Sequence, residues 1–171
     1  MAGKFVTGAL KLNGTIIQDV MEFTPVNLQW EDLEFDNLGS KFNSFNHFKL
    51  KETNGTIKLS APLSAETYSQ FWDTNNVYEL MSTNVYTQVD ESTLAQSEFG
   101  YYEIMRVVFG GVSRSAVKNG DGGEIEIPFK LVSLTILDKN NQETFYYNVI
   151  TNALRLNGDD KRTTSDQLIG K

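Results

Sequence analysis

A chain of 171 residues with 40% hydrophobic and 12% aromatic residues is long enough to form one packed domain. Its 22 acidic and 15 basic side chains give a formal net charge of −7, which argues against a dedicated nucleic-acid grip built on clustered cations. With no cysteine and one histidine, a disulfide framework is impossible and a transition-metal site is not expected.

The start of the chain, Met1–Gly8, lacks the apolar stretch of a secretory signal. Apolar runs elsewhere are interrupted every few positions and fall short of the roughly 20 residues that cross a bilayer. We therefore expect an intracellular product or a particle component released by lysis.

Asn-Gly pairs punctuate the chain. This dipeptide favours tight hairpin turns because both residues tolerate positive φ. Between the pairs lie segments rich in β-branched and aromatic residues, which predict six or seven strands. The four pairs are Asn13-Gly14, Asn54-Gly55, Asn119-Gly120 and Asn157-Gly158. The strand segments are Thr15–Val20, Val26–Phe35, Asn46–Lys51, Thr56–Ser60, Tyr101–Val112, Gly123–Leu137 and Thr144–Thr151.

Two polar segments read as connections. Asp36–Asn46 has a turn-like composition but carries Phe42 and Phe45, which is unusual for a solvated loop. The second segment, Val85–Glu98, is acidic and polar and is interpreted as a surface connection.

Residues 63–74 are predicted to form a short helix. Ser64 can cap it, Glu66 suits its first turn, and Leu63, Thr67 and Phe71 recur at helical spacing. A helix this short is marginal alone, so we expect Tyr68, Phe71 and Trp72 to pack on a sheet.

Strict alternation marks Glu124–Leu131, where the odd positions are apolar and predicted to be buried. After Leu131 the phase reverses, which requires a bulge or a crossing between sheets. Pro128 lacks a backbone donor and indicates either an edge strand or an imperfect pairing. The segment Asn27–Glu31 alternates too, with Leu28 and Trp30 opposed to polar neighbours.

Residues suited to catalysis are sparse. His47 is the sole histidine and no nucleophile elbow accompanies it, so we predict no enzyme. Residues 119–123 lack the ligand spacing of a calcium loop and the Lys-Ser/Thr pair of a phosphate loop. Glu124 and Glu126 share one strand face, but surface glutamates at this spacing are far commoner than a glycosidase pair. No cofactor is expected.

The last seventy or so residues resemble the major tail tube proteins of contractile-tailed temperate phages of the enterobacterial type. The resemblance depends on the order of its motifs and on chain length, and the first half matches in layout only. Pro128 and the segment Val85–Glu98 depart from the family pattern. The motifs are Lys118–Glu124, Phe129-Lys130-Leu131, the turn Asp138–Gln142, a strand ending near Asn148, Ala153–Asp160 and Gln167–Gly170.

This resemblance implies a mainly β fold of two packed antiparallel sheets, a sandwich or barrel, with one short helix and a C-terminal tail at 161–171. It also implies hexameric rings that stack into a tube inside a contractile sheath, with a barrel lumen that conducts DNA. The implied partners are other copies of the chain, the sheath, baseplate and tail terminator proteins. The implied location is the virion tail, assembled in the host cytoplasm.

Two surfaces of the expected tube can be assigned to residues. An acidic lumen repels DNA and lets it slide, so polar strand faces are lumen candidates, with solvent exposure on the outside as the plain alternative. Aromatics on a connection can anchor in a neighbour, which makes segment 36–46 the candidate for ring stacking. The lumen candidates are Glu124, Glu126, Asn27, Gln29, Glu31 and Lys130, and the stacking candidates are Asp36, Leu38, Phe42 and Phe45.

Two other functions compete. The first is a tube subunit of a phage-derived injection or secretion system, which shares the fold. The second is a monomeric carbohydrate-binding β-sandwich. Its sugar platform would use Trp30, Trp72 and tyrosines such as Tyr101, Tyr102, Tyr146 and Tyr147, although both tryptophans are predicted to be buried.

Overall fold

Antiparallel strands make up most of the computed structural model, which describes residues 4–18, 20–37, 40–60, 65–89, 96–114 and 123–161. The single described helix, α1, is Ala65–Trp72. The longer strands are β1 (Lys4–Leu12), β3 (Val20–Thr24), β4 (Trp30–Asn37), β5 (Ser40–Leu50), β6 (Asn54–Leu59), β7 (Tyr78–Val89), β8 (Gln96–Phe109), β10 (Ile125–Asp138) and β11 (Glu143–Asn148). The shorter ones are β2 (Thr15–Ile16), β9 (Ser113–Arg114), β12 (Leu154–Leu156) and β13 (Asp159–Asp160).

Strand β10 organises the sheet because its two halves have different neighbours. Its first half pairs with β6, and β6 pairs with β3. The second half pairs with β11 on that same side, while β8 runs along the other side. The order β13-β12-β11-β10-β8-β7-β1-β2 therefore carries β6 and β3 as a branch from β10. The mainly β, antiparallel fold with one short helix is as predicted; eleven of the described strands form one sheet, and β4 and β5 form a separate two-stranded sheet.

A bulge on β10 confirms the predicted reversal of phase. The pairing with β8 shifts between Leu131 and Ser133, and Val149 N donates to Val132 O at 2.8 Å at that point. Ile127, Phe129 and Leu131 are buried before the bulge, and Leu134 is buried after it. One inserted residue thus keeps the apolar side chains of both halves facing the core.

The core follows the register of the strands. One row of apolar side chains crosses six neighbouring strands, with each residue paired to the next. All of its members are at least nine-tenths buried. A row like this makes one face of the sheet continuous hydrophobic surface. The row is Leu12, Leu80, Met105, Leu134, Tyr147 and Leu154.

Helix α1 packs on this face through Phe71, which is fully buried and meets Phe109 edge-on with ring centroids 4.8 Å apart. Tyr68 accepts hydrogen bonds from two nitrogens of Arg114 on β9. Trp72, however, is 52% exposed. The prediction that Trp72 is buried is therefore wrong: it lies at the last position of the helix, where its ring meets that of Tyr68 edge-on at 6.2 Å.

The Asn-Gly pairs have three different outcomes. Asn13-Gly14 and Asn157-Gly158 have positive φ at both residues and close the β1–β2 and β12–β13 hairpins, as predicted. Asn54-Gly55 instead begins strand β6, where Gly55 pairs with Phe129. The turn predicted there is wrong. Gly55 lies in a strand, where the absence of a side chain lets the Phe129 ring pack closely against it. Asn119-Gly120 lies outside the described residues.

Pro128 lies on the central strand, not at an edge. Its carbonyl accepts a hydrogen bond from Gly110 N at 2.9 Å, opposite the irregular stretch 110–112 between β8 and β9. The N–H and C=O of one residue point to the same side of an antiparallel strand. The side on which Pro128 lacks an N–H donor therefore faces the irregular stretch 110–112. Of the two predicted explanations, imperfect pairing is the correct one.

Several segments predicted as connections are strands. Val85–Glu98 belongs mostly to β7 and β8, which pair from Tyr78↔Val107 to Val89↔Gln96. The segment Asp36–Asn46 lies largely in β4 and β5, paired from Glu31↔Asn46 to Asn37↔Ser40. Both segments are polar, so no period-2 alternation of apolar residues marks them as strands in the sequence. Strands β1 and β7 were not predicted.

Candidate assembly surfaces

The described strands leave the outer edge of β1 unpaired along most of its length. Among the described residues, β2 pairs with this edge only at Lys11 and Leu12, and Ile17 N adds one bond to Leu10 O at 2.9 Å. The other edge of β1 pairs with β7 along nearly the whole strand. A long unpaired edge is a template for another strand, and no proline blocks it here.

The direction of the free hydrogen-bonding groups on β1 follows from the register. Asn13 N donates to Glu79 O at 2.8 Å, so odd-numbered residues in the regular ladder bond to β7. Even-numbered residues therefore direct N–H and C=O outward, as the bond accepted by Leu10 shows. Gly8 is the next residue that points both groups to the open edge.

A polar face crosses the first half of β10. Glu22, Lys58 and Glu126 are paired in register across β3, β6 and β10, and Ser113 of β9 completes the row. Lys58 Nζ donates to Glu22 at 2.7 Å, and this hydrogen bond and charge raise the pKa of Lys58, with smaller contributions from Glu126 and Glu124. Lys58 thus remains charged and lies between the carboxylates of this row.

The predicted lumen residues separate into two groups. Glu124, Glu126 and Lys130 are exposed on or beside β10, and Glu124 and Glu126 line a small surface pocket of about 150 Å³ with Lys58 and Arg114. Asn27 and Gln29 are exposed but lie in the connection 25–29, because β4 begins only at Trp30. The prediction of a strand at Asn27–Glu31 is therefore wrong for residues 27–29. The side chain of Glu31 lies outside the described part.

The predicted stacking residues lie on the β4–β5 hairpin. Phe42 is paired with Phe35, Asp36 with Lys41 and Phe45 with Asp32. Leu38 and the side chains of the other three are outside the described residues. At the base of the hairpin, Trp30 meets the buried Tyr147 edge-on at 5.4 Å, and Gln29 O accepts a bond from Lys51 N. The core therefore anchors this two-stranded element at one end.

No family model and no curated protein matches this chain. Among solved structures, the chain is similar to Hcp1 from Flavobacterium johnsoniae, with 8% identity and a TM-score of 0.39 over 81% of this chain and 98% of the other. A tryptophan double mutant of the Hcp1 protein from the E. coli EAEC 042 pathovar has 10% identity and a TM-score of 0.43 over 84% and 99%.

The half-buried carboxylate of Glu103 was not identified from the sequence. Glu103 is paired with Ser82 and Ile136, in the row next to the core row. Burial raises the pKa of this carboxyl above its ordinary value of 4.5, and no charged partner contributes to the shift. The alternation of Glu103, Met105, Val107 and Phe109 could have revealed it, since the last three are buried and share its face.

The aromatic residues of the carbohydrate-binding alternative do not form one platform. Tyr147 is buried, Trp30 packs against it, and Trp72 lies at the end of α1. Tyr146 is covered by the guanidinium of Arg155, which lies 4.0 Å from its ring centroid. Tyr147, Trp30 and Tyr146 therefore do not present flat, open ring faces to a sugar.

Two further findings concern the described ranges alone. No group of three or more His, Asp or Glu side chains there is arranged to hold a metal ion. No helix there combines the length and apolarity that crossing a bilayer requires.

Proposed function

We propose that this chain is the tube subunit of a phage-like injection or secretion apparatus. Copies join edge to edge into hexameric rings, and the rings stack into a tube. The observation that carries the proposal is the outer edge of β1, which within the described part of the chain pairs with β2 only at Lys11 and Leu12. Pairing this edge with a neighbouring copy removes the aggregation hazard that it presents in a monomer.

The sequence resemblance to contractile phage tail tubes supports the same assembly. In the phage form, the tube lies inside a sheath, meets baseplate and terminator proteins, and conducts DNA from the virion. In the alternative form, a phage-derived injection or secretion particle carries another cargo through the same kind of lumen. Capsid and terminase genes beside the coding sequence would distinguish the phage form.

Two surfaces have assigned roles in the proposed tube. The face with Glu124, Glu126 and Lys130 lines the lumen, where carboxylates repel a nucleic-acid backbone and paired cations limit the field. The β4–β5 hairpin reaches the next ring and provides the stacking contact. Asn27, Gln29 and Glu31, at the base of that hairpin, remain secondary lumen candidates.

Blocking the edge of β1 tests the proposal. Gly8→Pro removes an outward N–H while the odd-numbered residues keep their bonds to β7. We expect the purified wild-type protein to form rings or hollow rods in negative-stain electron microscopy when concentrated. We expect Gly8→Pro to weaken association roughly tenfold, because one interface donor is lost.

Gly8→Ala is the matched control, since it adds a side chain at the same position and keeps the N–H. It should assemble like the wild type, and circular dichroism should show the same β signal for all three proteins. A wild-type protein that stays monomeric at high concentration would contradict the proposed function. Normal assembly of Gly8→Pro would exclude the β1 edge as the contact.

A further inference from the structure

Three of the four Asn-Gly pairs lie within the described residues, and the fold restrains them differently. Asn-Gly is the dipeptide most prone to spontaneous deamidation, because glycine has no side chain to shield its backbone nitrogen from the preceding carboxamide. The glycine nitrogen loses its proton and bonds to the asparagine Cγ, and Nδ2 leaves as ammonia. Water then opens the cyclic imide to aspartate or isoaspartate. The reaction is therefore fastest where both the nitrogen and the carboxamide are free to move.

The backbone nitrogen of Gly55 is held within the sheet. Leu131 N donates to Thr53 O at 2.8 Å, which shows that odd-numbered residues of β6 bond to β10. The N–H of Gly55 is therefore directed to its paired residue, Phe129. Gly55 is also buried, and a Cβ there would lie 2.3 Å from the Phe129 ring. This nitrogen cannot reach the Asn54 side chain unless β6 leaves the sheet.

At the β1–β2 turn it is the asparagine carboxamide that is held. Asn13 Oδ1 accepts a hydrogen bond from Glu79 N at 3.0 Å, and Asn13 N donates to Glu79 O at 2.8 Å. These two bonds fix Asn13 against strand β7. Its Cγ cannot approach the Gly14 nitrogen until the bond accepted by Oδ1 is broken, which adds to the activation barrier.

Neither restraint is present at Asn157-Gly158, where both residues are exposed. Asn157 N donates to Thr144 O at 3.0 Å, which holds the backbone, but no described residue bonds to the side-chain amide. The ladder of the β12–β13 hairpin passes from Leu156 to Asp159 without using the Gly158 N–H. Beyond the chain neighbours of Gly158, no described atom lies within 4 Å of the place that a Cβ would occupy. The nitrogen and the carboxamide of this pair are thus both free to meet.

We propose that Asn157-Gly158 is a site of spontaneous deamidation and that the fold protects the other two described pairs. The φ angles at this turn are 53° and 81°, against 47° and 82° at Asn13-Gly14, so side-chain anchoring rather than backbone φ separates the two turns. The product carries an additional negative charge beside the acidic strand β13. Where isoaspartate forms, one more carbon atom enters the backbone and the two-residue turn between β12 and β13 is lost. The reaction needs only water and this chain.

Peptide mapping by mass spectrometry tests the site, because trypsin places each Asn-Gly pair on a different peptide. The purified full-length protein is incubated in mildly alkaline buffer, and aspartate and isoaspartate are measured over time at Asn13, Asn54 and Asn157. We expect Asn157 to deamidate roughly tenfold faster than Asn13, since the hydrogen bond to the Asn13 carboxamide must first be broken. Asn54 should react most slowly, because its reaction requires β6 to leave the sheet.

The same protein unfolded in guanidinium chloride is the matched control. The three pairs should then react at similar rates, because glycine follows asparagine in each of them and the protection by the fold is gone. Equal rates at Asn13 and Asn157 in the folded protein would overturn the inference. A difference between these two sites that persists after unfolding would also overturn it, since the cause would then lie in the local sequence.

Discussion

Gly55 shows how one missing side chain shapes the core. A Cβ at this position would lie 2.3 Å from the Phe129 ring, which is buried and also stacks on Phe23 at 6.1 Å. We expect Gly55→Ala to lower the free energy of unfolding by about 2 kcal/mol, because Phe129 cannot move without disturbing the core. Urea denaturation followed by fluorescence measures this change.

A double-mutant cycle supplies the control for that prediction. Phe129→Leu alone should destabilise the protein by leaving a cavity, but it should reduce the additional cost of Gly55→Ala. Strictly additive effects of the two substitutions would show that the glycine is required for another reason.

The half-buried Glu103 makes the stability of the folded protein depend on pH. Because burial raises its pKa above 4.5, the folded state binds this proton more tightly than the unfolded state. Its contribution to stability therefore falls as pH rises from 4.5 through the higher folded value. We expect Glu103→Gln to match the wild type near pH 4 and to be about 1 kcal/mol more stable at pH 7.

Thermal unfolding across this pH range provides the measurement. Glu79→Gln serves as the control because Glu79 is an exposed carboxylate on the adjacent strand β7. A stability difference between Glu103→Gln and the wild type that does not change with pH would contradict the assignment.

At the scale of elements, the β4–β5 hairpin is separable from the core. Trp30 and Leu50 anchor its base, while the described pairing between Glu31 and Asn46 continues outward to Asn37 and Ser40. Replacing residues 33–44 by Asn-Gly joins Asp32 to Phe45 through a two-residue turn in the existing register. We expect a folded protein that forms single rings but no stacked tubes in electron microscopy.

A replacement of the same segment by a Gly-Ser linker of equal length is the control for chain connectivity. It should also abolish stacking, because the hairpin strands and both phenylalanines are gone. Tubes of normal length from the Asn-Gly variant would remove the hairpin from the stacking contact.

At the scale of the whole molecule, the proposed lumen depends on charge. The double substitution Glu124→Lys and Glu126→Lys places two added cations beside Lys58 and Arg114, at the small pocket that all four residues line. We expect assembled tubes but roughly tenfold lower delivery of DNA, since a basic lining holds phosphates. Electron microscopy and a particle infection or transfer assay measure the two properties separately.

The matched control is Glu52→Lys with Glu79→Lys, which changes the net charge equally at exposed positions outside this pocket. Delivery should be close to the wild-type level in this variant. Undiminished delivery by the Glu124 and Glu126 variant would place their face on the outside of the tube.

Local patterns by themselves determined those features that depend on a few neighbouring residues. The alternation in Glu124–Leu131, its reversal after Leu131 and the hairpins at Asn13-Gly14 and Asn157-Gly158 are all present in the fold. Side-chain period and positive φ are short-range properties, so a single sequence reveals them.

Only the tertiary structure decided which polar segments are strands and which edges remain open. Segments 36–46 and 85–98 look like loops in sequence, yet they lie largely in the β4–β5 and β7–β8 hairpins, because backbone hydrogen bonds form whatever the side-chain pattern. Gly55 looks like a turn residue until Phe129, 74 positions away in the sequence, occupies the space above it. The edge of β1 that the described strands leave unpaired likewise depends on every strand between it and β10, since an edge is defined by the neighbours that a strand lacks.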